Sequence, residues 1–178
     1  MNLLAESVLG NLKEGGSSKE LDFIDLEWFD AQKRMGRFTS QKGAELVLKL
    51  KNPPKMGLCD GDILFEDATS LIAINIIPTP TLHVYANSTA QVARLCYEVG
   101  NRHASLYYGD SPLSFKTPFE RPLQVLFDKL ALRYEVLKSK LDASQRISVS
   151  APHADPLQEG SAPLKFKSAP DLQIVMKK

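Results

Sequence analysis

The sequence predicts an α+β fold in which an N-terminal all-β domain of the sandwich type precedes a ferredoxin-like C-terminal domain. Short strand-like runs dominate the first 77 residues, and a small sandwich or barrel is the usual way to bury such runs. After Pro78 the pattern changes to the order β-α-β-β-α-β, which is the ferredoxin-like arrangement. The last 28 residues, from Ala151 onward, hold four of the eleven prolines and predict a flexible tail over residues 151–178.

The N-terminal domain is predicted over residues 1–77 from short alternating runs. Leu46, Leu48 and Leu50 alternate with a valine and a lysine, a pattern typical of a half-buried strand. Asn52-Pro53-Pro54 ends that strand, because proline lacks the N–H that a strand ladder requires. Further strands are predicted over residues 21–29, 37–39, 62–65 and 71–77.

Residues 78–80 are predicted to be a stiff linker, because the two prolines of Pro78-Thr79-Pro80 hold the chain extended. The C-terminal domain, residues 81–150, then begins with a strand over 82–86. A helix follows, since Ser88 and Gln91 have capping-box spacing. Gly100-Asn101 is predicted to end this helix. Its apolar stripe consists of Val92, Leu95, Cys96 and Val99.

The rest of the C-terminal domain is predicted as two strands, a second helix and a closing strand. The strands cover residues 104–108 and 113–116, on either side of the turn sequence Gly109-Asp110-Ser111-Pro112. The helix begins near Arg121, because Pro122 is tolerated only in a first turn. Its apolar face is formed by Leu123, Leu126, Phe127 and Leu130, and the closing strand covers residues 133–138.

Composition excludes several classes of protein. The net charge is only +1, from 22 Lys and Arg against 21 Asp and Glu, which argues against a nucleic-acid binder that must neutralise phosphates. The first residues contain Glu6 and no basic segment, and no apolar stretch approaches the about 20 residues that span a bilayer, so we expect no membrane contact. Cys59 and Cys96 match no CxxC pattern, and a reducing cytoplasm is the expected location. Cys96, on the apolar stripe of a helix, is expected to be a buried, inert thiol.

The sequence also predicts that the protein is not an enzyme. It contains no GxSxG, P-loop or HExxH motif, and no GxGxxG follows a strand. The glycine-flanked run Gly57-Leu58-Cys59-Asp60-Gly61 is better interpreted as a turn between strands.

The three histidines are the scarce residues that bear on a metal site. His83 alternates with apolar neighbours on a predicted strand, where a surface histidine is the simpler interpretation. His103 follows the predicted helix end, and His153 lies in the tail. One imidazole cannot hold a transition metal, so a chain this poor in His and Cys would have to pool ligands across subunits.

The motif Gly100-Asn101-Arg102-His103 resembles the GNRH motif of the urease accessory protein E family, the nickel metallochaperones of urease assembly. The resemblance covers residues 1–156 and is strongest to Helicobacter-type members. The other segments that carry it are Asp25-Leu26-Glu27-Trp28-Phe29, the run from Gly57 to Phe65, Leu106-Tyr107-Tyr108-Gly109, and the run from Phe115 to Glu120.

The resemblance implies a homodimer that holds nickel where two copies of the GNRH histidine, here His103, meet on the two-fold axis. A residue near such an axis faces its own copy, so one histidine per chain becomes two. The family also implies delivery of Ni²⁺ to an apo-urease assembly complex, a GTPase partner of the urease G type, and a nickel-binding histidine in the tail, here His153. Asn101 and Arg102 match the motif, but we interpret them as a helix cap and a surface charge. Imidazole suits Zn²⁺ as well, so the sequence leaves selectivity open.

The sequence departs from many relatives in two places. Tyr97-Glu98-Val99 stands where an additional histidine precedes the motif, and the tail is not rich in histidine. We therefore expect about one ion per dimer.

Two alternatives remain open from the sequence. Tyr107, Tyr108 and Phe115 on strands of a ferredoxin-like domain would suit an RNA-binding module, although no basic RNP-like run is present. A purely structural scaffold for urease assembly is the other.

Overall fold

The computed structural model describes residues 3–15 and 18–147, and these form a mixed α+β structure, as predicted. The strands of the N-terminal half are β1 (Leu3–Ala5), β2 (Gly10–Asn11), β3 (Glu20–Leu26), β4 (Met35–Thr39), β5 (Glu45–Lys49), β6 (Asp62–Glu66) and β7 (Ser70–Ile76). The C-terminal half contains β8 (Thr79–Tyr85), α1 (Thr89–Asn101), β9 (Tyr107–Tyr108), β10 (Ser114–Pro118), α2 (Arg121–Lys129) and β11 (Arg133–Ser139), followed by a 3₁₀ turn, Ala143–Gln145.

Two sheets of the N-terminal half enclose one core. Their strand orders are β1-β5-β4 and β2-β6-β7-β3. Leu46 and Leu48 of the first sheet belong to the same buried cluster as Ile24 and Ile74 of the second. The leucine alternation therefore predicted both the strand β5 and its buried face correctly.

Two short strands in this half were not predicted. β1 pairs in parallel with β5, with Leu3 beside Leu46, and β2 pairs antiparallel with β6. Runs of two or three residues are too short to show an alternation, so only pairing with distant strands defines them.

The predicted linker over residues 78–80 differs from the structure, because β8 already begins at Thr79. Pro80 is the second residue of that strand and pairs with Lys138 of β11. Its carbonyl oxygen accepts a hydrogen bond from the Phe119 N–H at 2.9 Å. A proline is tolerated at the start of a strand, where the missing N–H leaves the ladder beyond it intact. Only Ile77 and Pro78 separate β7 from β8.

The C-terminal half has the predicted element order β-α-β-β-α-β. Its antiparallel sheet has the order β11-β8-β10-β9. Both helices pack on one face of this sheet, since Leu95 and Val99 of α1 and Phe127 of α2 share a buried cluster with Leu82 and Val84 of β8.

One predicted strand, over residues 104–108, is reduced to Tyr107–Tyr108. The Ala104 N–H is used to close the preceding helix by donating to Val99 O at 3.2 Å. The Leu106 carbonyl accepts from the Ile147 N–H at 2.8 Å. These backbone groups are therefore not available to a neighbouring strand. Among the described residues, no helix is both long enough and apolar enough to cross a membrane.

The end of α2 provides a first testable prediction. Ala131 follows the C-cap residue Leu130 and has a φ of 51°, in the left-handed region that favours glycine. The Ala131 and Leu132 N–H groups donate to Asp128 O and Phe127 O, at 3.1 and 3.0 Å. We expect Ala131→Gly to raise the free energy of unfolding by about 1 kcal/mol. Urea denaturation measures this change.

The matched control is Ala93→Gly, at an exposed position inside α1. There glycine adds only conformational freedom to the unfolded chain and costs about 1 kcal/mol of stability. If both substitutions changed stability in the same direction, the left-handed backbone at Ala131 would not be the cause.

Candidate functional site: the C-terminal end of helix α1 and the adjoining groove

Helix α1 holds the motif in a fixed place. Ser88 caps its first turn, since the Ser88 Oγ accepts a hydrogen bond from the Gln91 N–H at 3.3 Å. The Gln91 side chain in turn accepts from the Asn87 N–H at 2.9 Å. Leu95 and Val99 are completely buried against the sheet. The rotation of the helix is therefore set by packing, and so is the position of its last turn.

His103 is the residue that ends the helix. It follows the C-cap residue Arg102 and has a φ of 54°. The His103 N–H donates to Gly100 O at 2.9 Å, and the Ala104 N–H donates to Val99 O at 3.2 Å. These two bonds define a Schellman motif, whose left-handed position is usually occupied by glycine.

The predicted helix stop was therefore misplaced in one respect. Gly100 and Asn101 are both helical, and the left-handed residue is His103 itself. A β-carbon in this conformation costs about 1 kcal/mol relative to glycine. The fold thus accepts strain at the position of an exposed imidazole.

Arg102 completes the end of the helix. Its Nη1 donates to Glu98 O at 2.8 Å and forms an ion pair with Glu98 Oε2 at 2.7 Å. The predicted surface charge of Arg102 thus has a helix-closing role, and Asn101 is the exposed last residue of α1.

His83, the other histidine that the structure describes, is not beside His103. His83 lies on β8 between Leu82 and Val84, which face the helices, so its own side chain faces the opposite side of the sheet. There its Nε2 is 3.0 Å from Ser139 Oγ. Burial, and then the charge of Lys116, lower the pKa of His83. His153 lies outside the described residues.

Burial disfavours the thiolate form of both cysteines. Burial, followed by the nearby carboxylates of Asp142 and Asp62, raises the pKa of Cys59 to about 11. Burial also raises the pKa of Cys96, which packs against the C-terminal core but is only partly buried, whereas a buried thiol was predicted. In the metal-free protein both thiols are therefore protonated near pH 7. Within residues 3–15 and 18–147, no group of three or more His, Cys, Asp or Glu side chains is arranged to hold a metal ion.

The aromatic residues that suggested RNA binding do not share an exposed face. Tyr107 and Phe115 are 2% and 6% exposed, and only Tyr108 is largely exposed at 58%. A stacking platform requires several accessible rings, so the structure does not favour that alternative.

A groove between the two halves of the molecule begins at His103. Its inner cavity, of about 210 Å³, lies between Met56 and Lys55 of the N-terminal half and His103, Ser105 and Arg146 of the C-terminal half. We call this cavity and its neighbour the interdomain groove. The neighbouring cavity, of about 410 Å³, is lined by Arg34 and two prolines and shares Lys55 and Gln32 with the first.

The interdomain groove was not predicted from the sequence. Its cationic side chains are Arg34, Lys55 and Arg146, of which the first and the last lie 112 positions apart in the sequence, and none belongs to a recognisable motif. No local sequence pattern predicts such a site, because only the packing of the two halves places these residues along one groove.

Comparison with known proteins places this arrangement in a family. Residues 5–76 match the family model described as the UreE urease accessory protein, N-terminal domain. A Helicobacter bizzozeronii protein is 98% identical over 99% of this chain and 100% of its own length. A Helicobacter pylori (strain G27) protein is 43% identical and a Helicobacter acinonychis (strain Sheeba) protein is 44% identical, each over 98% of this chain and 100% of the relative. All three relatives are named urease accessory protein UreE.

Proposed function

The chain belongs to the UreE family of urease accessory proteins, and from this premise we propose that it is a nickel metallochaperone that delivers Ni²⁺ to urease during assembly of the active site. It is an accessory protein and not an enzyme, as the sequence predicts. Its cargo, in this proposal, is held at a homodimer interface by the His103 side chains of both subunits.

The observation that carries the proposal is the placement of His103. The imidazole is exposed at the end of a helix that is anchored by Leu95 and Val99, and its backbone is strained. A two-fold axis near this helix end would place two such imidazoles together. Neutral imidazole suits Ni²⁺, and also Zn²⁺, so either ion fits this donor.

Within the described residues, His103 belongs to no group of three or more His, Cys, Asp or Glu side chains that could hold a metal ion, so further ligands have to come from the partner subunit or from the rest of the chain. We propose that His153 supplies one of them. A ligand on a separate segment would dissociate without unfolding the helix end, which suits a protein that must release its cargo.

The remaining parts of the proposal concern organisation and partners. The two-sheet core of the N-terminal half supports a sandwich-type domain over residues 1–77 that binds the urease complex. The sheet order β11-β8-β10-β9, with both helices on one face, supports a ferredoxin-like dimerisation domain over residues 81–150. We propose that the homodimer works in the cytoplasm with a GTPase of the urease G type.

Gly100 provides a prediction about the homodimer. Apart from its chain neighbours and its own helix backbone, a β-carbon built on this helical, exposed glycine meets no atom of the described residues within 4 Å. Because Ala is the better helix former, we expect Gly100→Ala to stabilise the monomer by about 0.5–1 kcal/mol. If another subunit packs closely at this helix end, the same methyl group should weaken the dimer. Analytical ultracentrifugation and urea denaturation measure the two effects.

Ala90→Gly is the matched control, at the start of the same helix and far from the motif. It should lower stability without changing the dimer dissociation constant. A Gly100→Ala dimer as tight as wild type would place the interface away from this turn.

Nickel calorimetry on wild type and on His103→Gly tests the proposed function. Loss of binding supports the shared histidine site, and unchanged affinity overturns it. A purely structural scaffold, by contrast, predicts wild-type nickel delivery from the same variant.

A further inference from the structure

We propose that the interdomain groove is a binding site for a small carboxylate anion, held between Lys55 and Arg146 beside His103. The carboxylate and the metal ion would bind together, each favouring the other. The second statement rests on the proposed function, because it requires the metal to lie at His103, whereas carboxylate binding by itself does not.

The charges that line the groove are unbalanced. Among the described residues, no carboxylate oxygen lies within 4.0 Å of the charged nitrogens of Arg34, Lys55 or Arg146, and no acidic residue lines either cavity. Lys51, only four residues before Lys55, does form an ion pair, with Glu6 at 2.9 Å. The groove thus concentrates positive charge that no carboxylate of the described chain pairs with at ion-pair distance.

Arg146 is the best-positioned of these cations. It is only partly exposed, and its backbone is held by a bridge to Tyr107 and by hydrogen bonds in the 3₁₀ turn. Its guanidinium has one long contact, from Nη2 to Ser105 Oγ at 3.5 Å. Five N–H donors are present in a guanidinium, so most remain available to a ligand. Their planar fork matches a carboxylate in a bidentate geometry.

A dication at His103 would be repelled by these side chains. Lys55 and Arg146 line the same cavity of about 210 Å³ as His103, and like charges in a partly enclosed site repel more strongly than in bulk water. A carboxylate between them would neutralise part of the positive charge. It would also offer the metal an oxygen ligand in addition to imidazole, and nickel accepts both donor types. The carboxylate would therefore bind the cationic side chains and the metal ion at the same time.

The size of the groove indicates the class of anion. The inner cavity alone exceeds the space of a single water molecule several times, and it opens through Lys55 into a second cavity of about 410 Å³ next to Arg34. A small dicarboxylate spans two cations, whereas a monatomic anion contacts one. We therefore assign the groove to compact di- or tricarboxylates.

The first experiment uses the full-length, metal-free protein with malonate as the probe. Binding is followed by calorimetry or NMR titration against sodium chloride of equal ionic strength. We expect Lys55→Gln/Arg146→Gln to weaken malonate binding by about tenfold or more, since two charge-assisted contacts are lost. The matched control is Arg37→Gln/Lys138→Gln, which removes the same residue types from exposed positions on β4 and β11.

The control variant should bind malonate within about twofold of wild type, because its cations lie outside the groove. Equal malonate affinity in wild type and in Lys55→Gln/Arg146→Gln, which we call the groove variant, would overturn the proposal. Sulfate carries the same charge as malonate and therefore tests the class of ligand. We expect sulfate to bind more weakly than malonate. Tighter binding of sulfate would show that the groove prefers an inorganic oxyanion and would overturn the assignment to carboxylates. If Arg146→Gln lowers the unfolding temperature, Lys55→Gln alone carries the test, with an expected loss of about threefold.

The second experiment measures the coupling to nickel. In chloride buffer, we expect the groove variant to bind nickel more tightly than wild type, because two repelling charges are gone. Acetate, a weak nickel ligand, should raise the nickel affinity of wild type and leave that of the variant unchanged. An acetate effect of equal size in both proteins would overturn the coupling.

The two proposals fail in different ways. If His103→Gly retains nickel, the metal site of the proposed function is lost, yet malonate binding to metal-free protein is still decided by the groove variant. If malonate binds the groove variant as tightly as wild type, the carboxylate site is ruled out and the His103 site is unaffected.

Discussion

Replacing His103 by glycine should abolish tight nickel binding while making the protein more stable. Glycine relieves the left-handed backbone at φ 54°, so we expect the free energy of unfolding to rise by about 1 kcal/mol. At the same time both imidazoles of the dimer disappear. We expect the nickel affinity to fall by at least about a hundredfold, since loss of a direct ligand exceeds the tenfold to hundredfold cost of losing an indirect one.

The opposite signs of these two effects make the experiment decisive, because unfolding cannot explain a loss of nickel from a more stable protein. Calorimetry gives the affinity and stoichiometry, and urea denaturation of the metal-free protein gives the stability. His83→Gln is the matched control, since it removes an imidazole from the opposite face of the sheet and should leave nickel binding unchanged. A nickel loss of equal size in both variants would show that His103 has no special role.

The second large effect concerns one of the polar contacts that join the two halves of the molecule, another being the ion pair between Lys13 and Asp142 at 3.3 Å. Asp60 Oδ1 accepts hydrogen bonds from Lys140 Nζ at 2.7 Å and from the Ile76 N–H at 2.9 Å. The same Lys140 Nζ donates to Asn75 Oδ1 at 2.8 Å. Since the Asp60 side chain is only 22% exposed, we expect Asp60→Ala to lower the free energy of unfolding by about 2–3 kcal/mol, because a partly buried N–H and a lysine lose their acceptor.

Urea denaturation measures this loss, and Glu6→Gln is its control. The Glu6–Lys51 pair lies at the surface, with side chains 41% and 68% exposed, so its removal should change stability by less than about 1 kcal/mol. Because Asp60 also fixes how the halves meet, we expect Asp60→Ala to weaken malonate binding in the groove. A variant as stable as Glu6→Gln would show that the Asp60 contacts contribute little.

Local patterns in the sequence were sufficient for most secondary structure. The stripe of Leu95 and Val99 predicted the buried face of α1, and the spacing of Leu123, Leu126 and Phe127 did the same for α2. These predictions succeed because burial repeats with the period of the element itself. The linker predicted over residues 78–80 differs from the structure, because the local chemistry of proline cannot show that a strand ladder includes Pro80.

The sequence identified the candidate metal-binding residue but did not show where it lies in the fold. His103 was identified from the resemblance of its motif, and the residues themselves gave a histidine after a helix end. Sequence alone did not show that His103 occupies the left-handed position, since glycine at position 100 was the expected stop. It also did not show that His83 faces away from it.

The sequence by itself determined the α+β class, the order of most elements, the family and the candidate histidine that follows the predicted end of helix α1. The tertiary structure decided that Lys55 and Arg146 line one cavity, that His103 has a left-handed backbone, and that Lys140 links the halves by donating to Asp60. The physical reason is the separation along the chain over which each effect acts. Periodicity and capping act over a few residues, whereas a groove and an interdomain contact arise from side chains that are brought together only when the whole chain has packed.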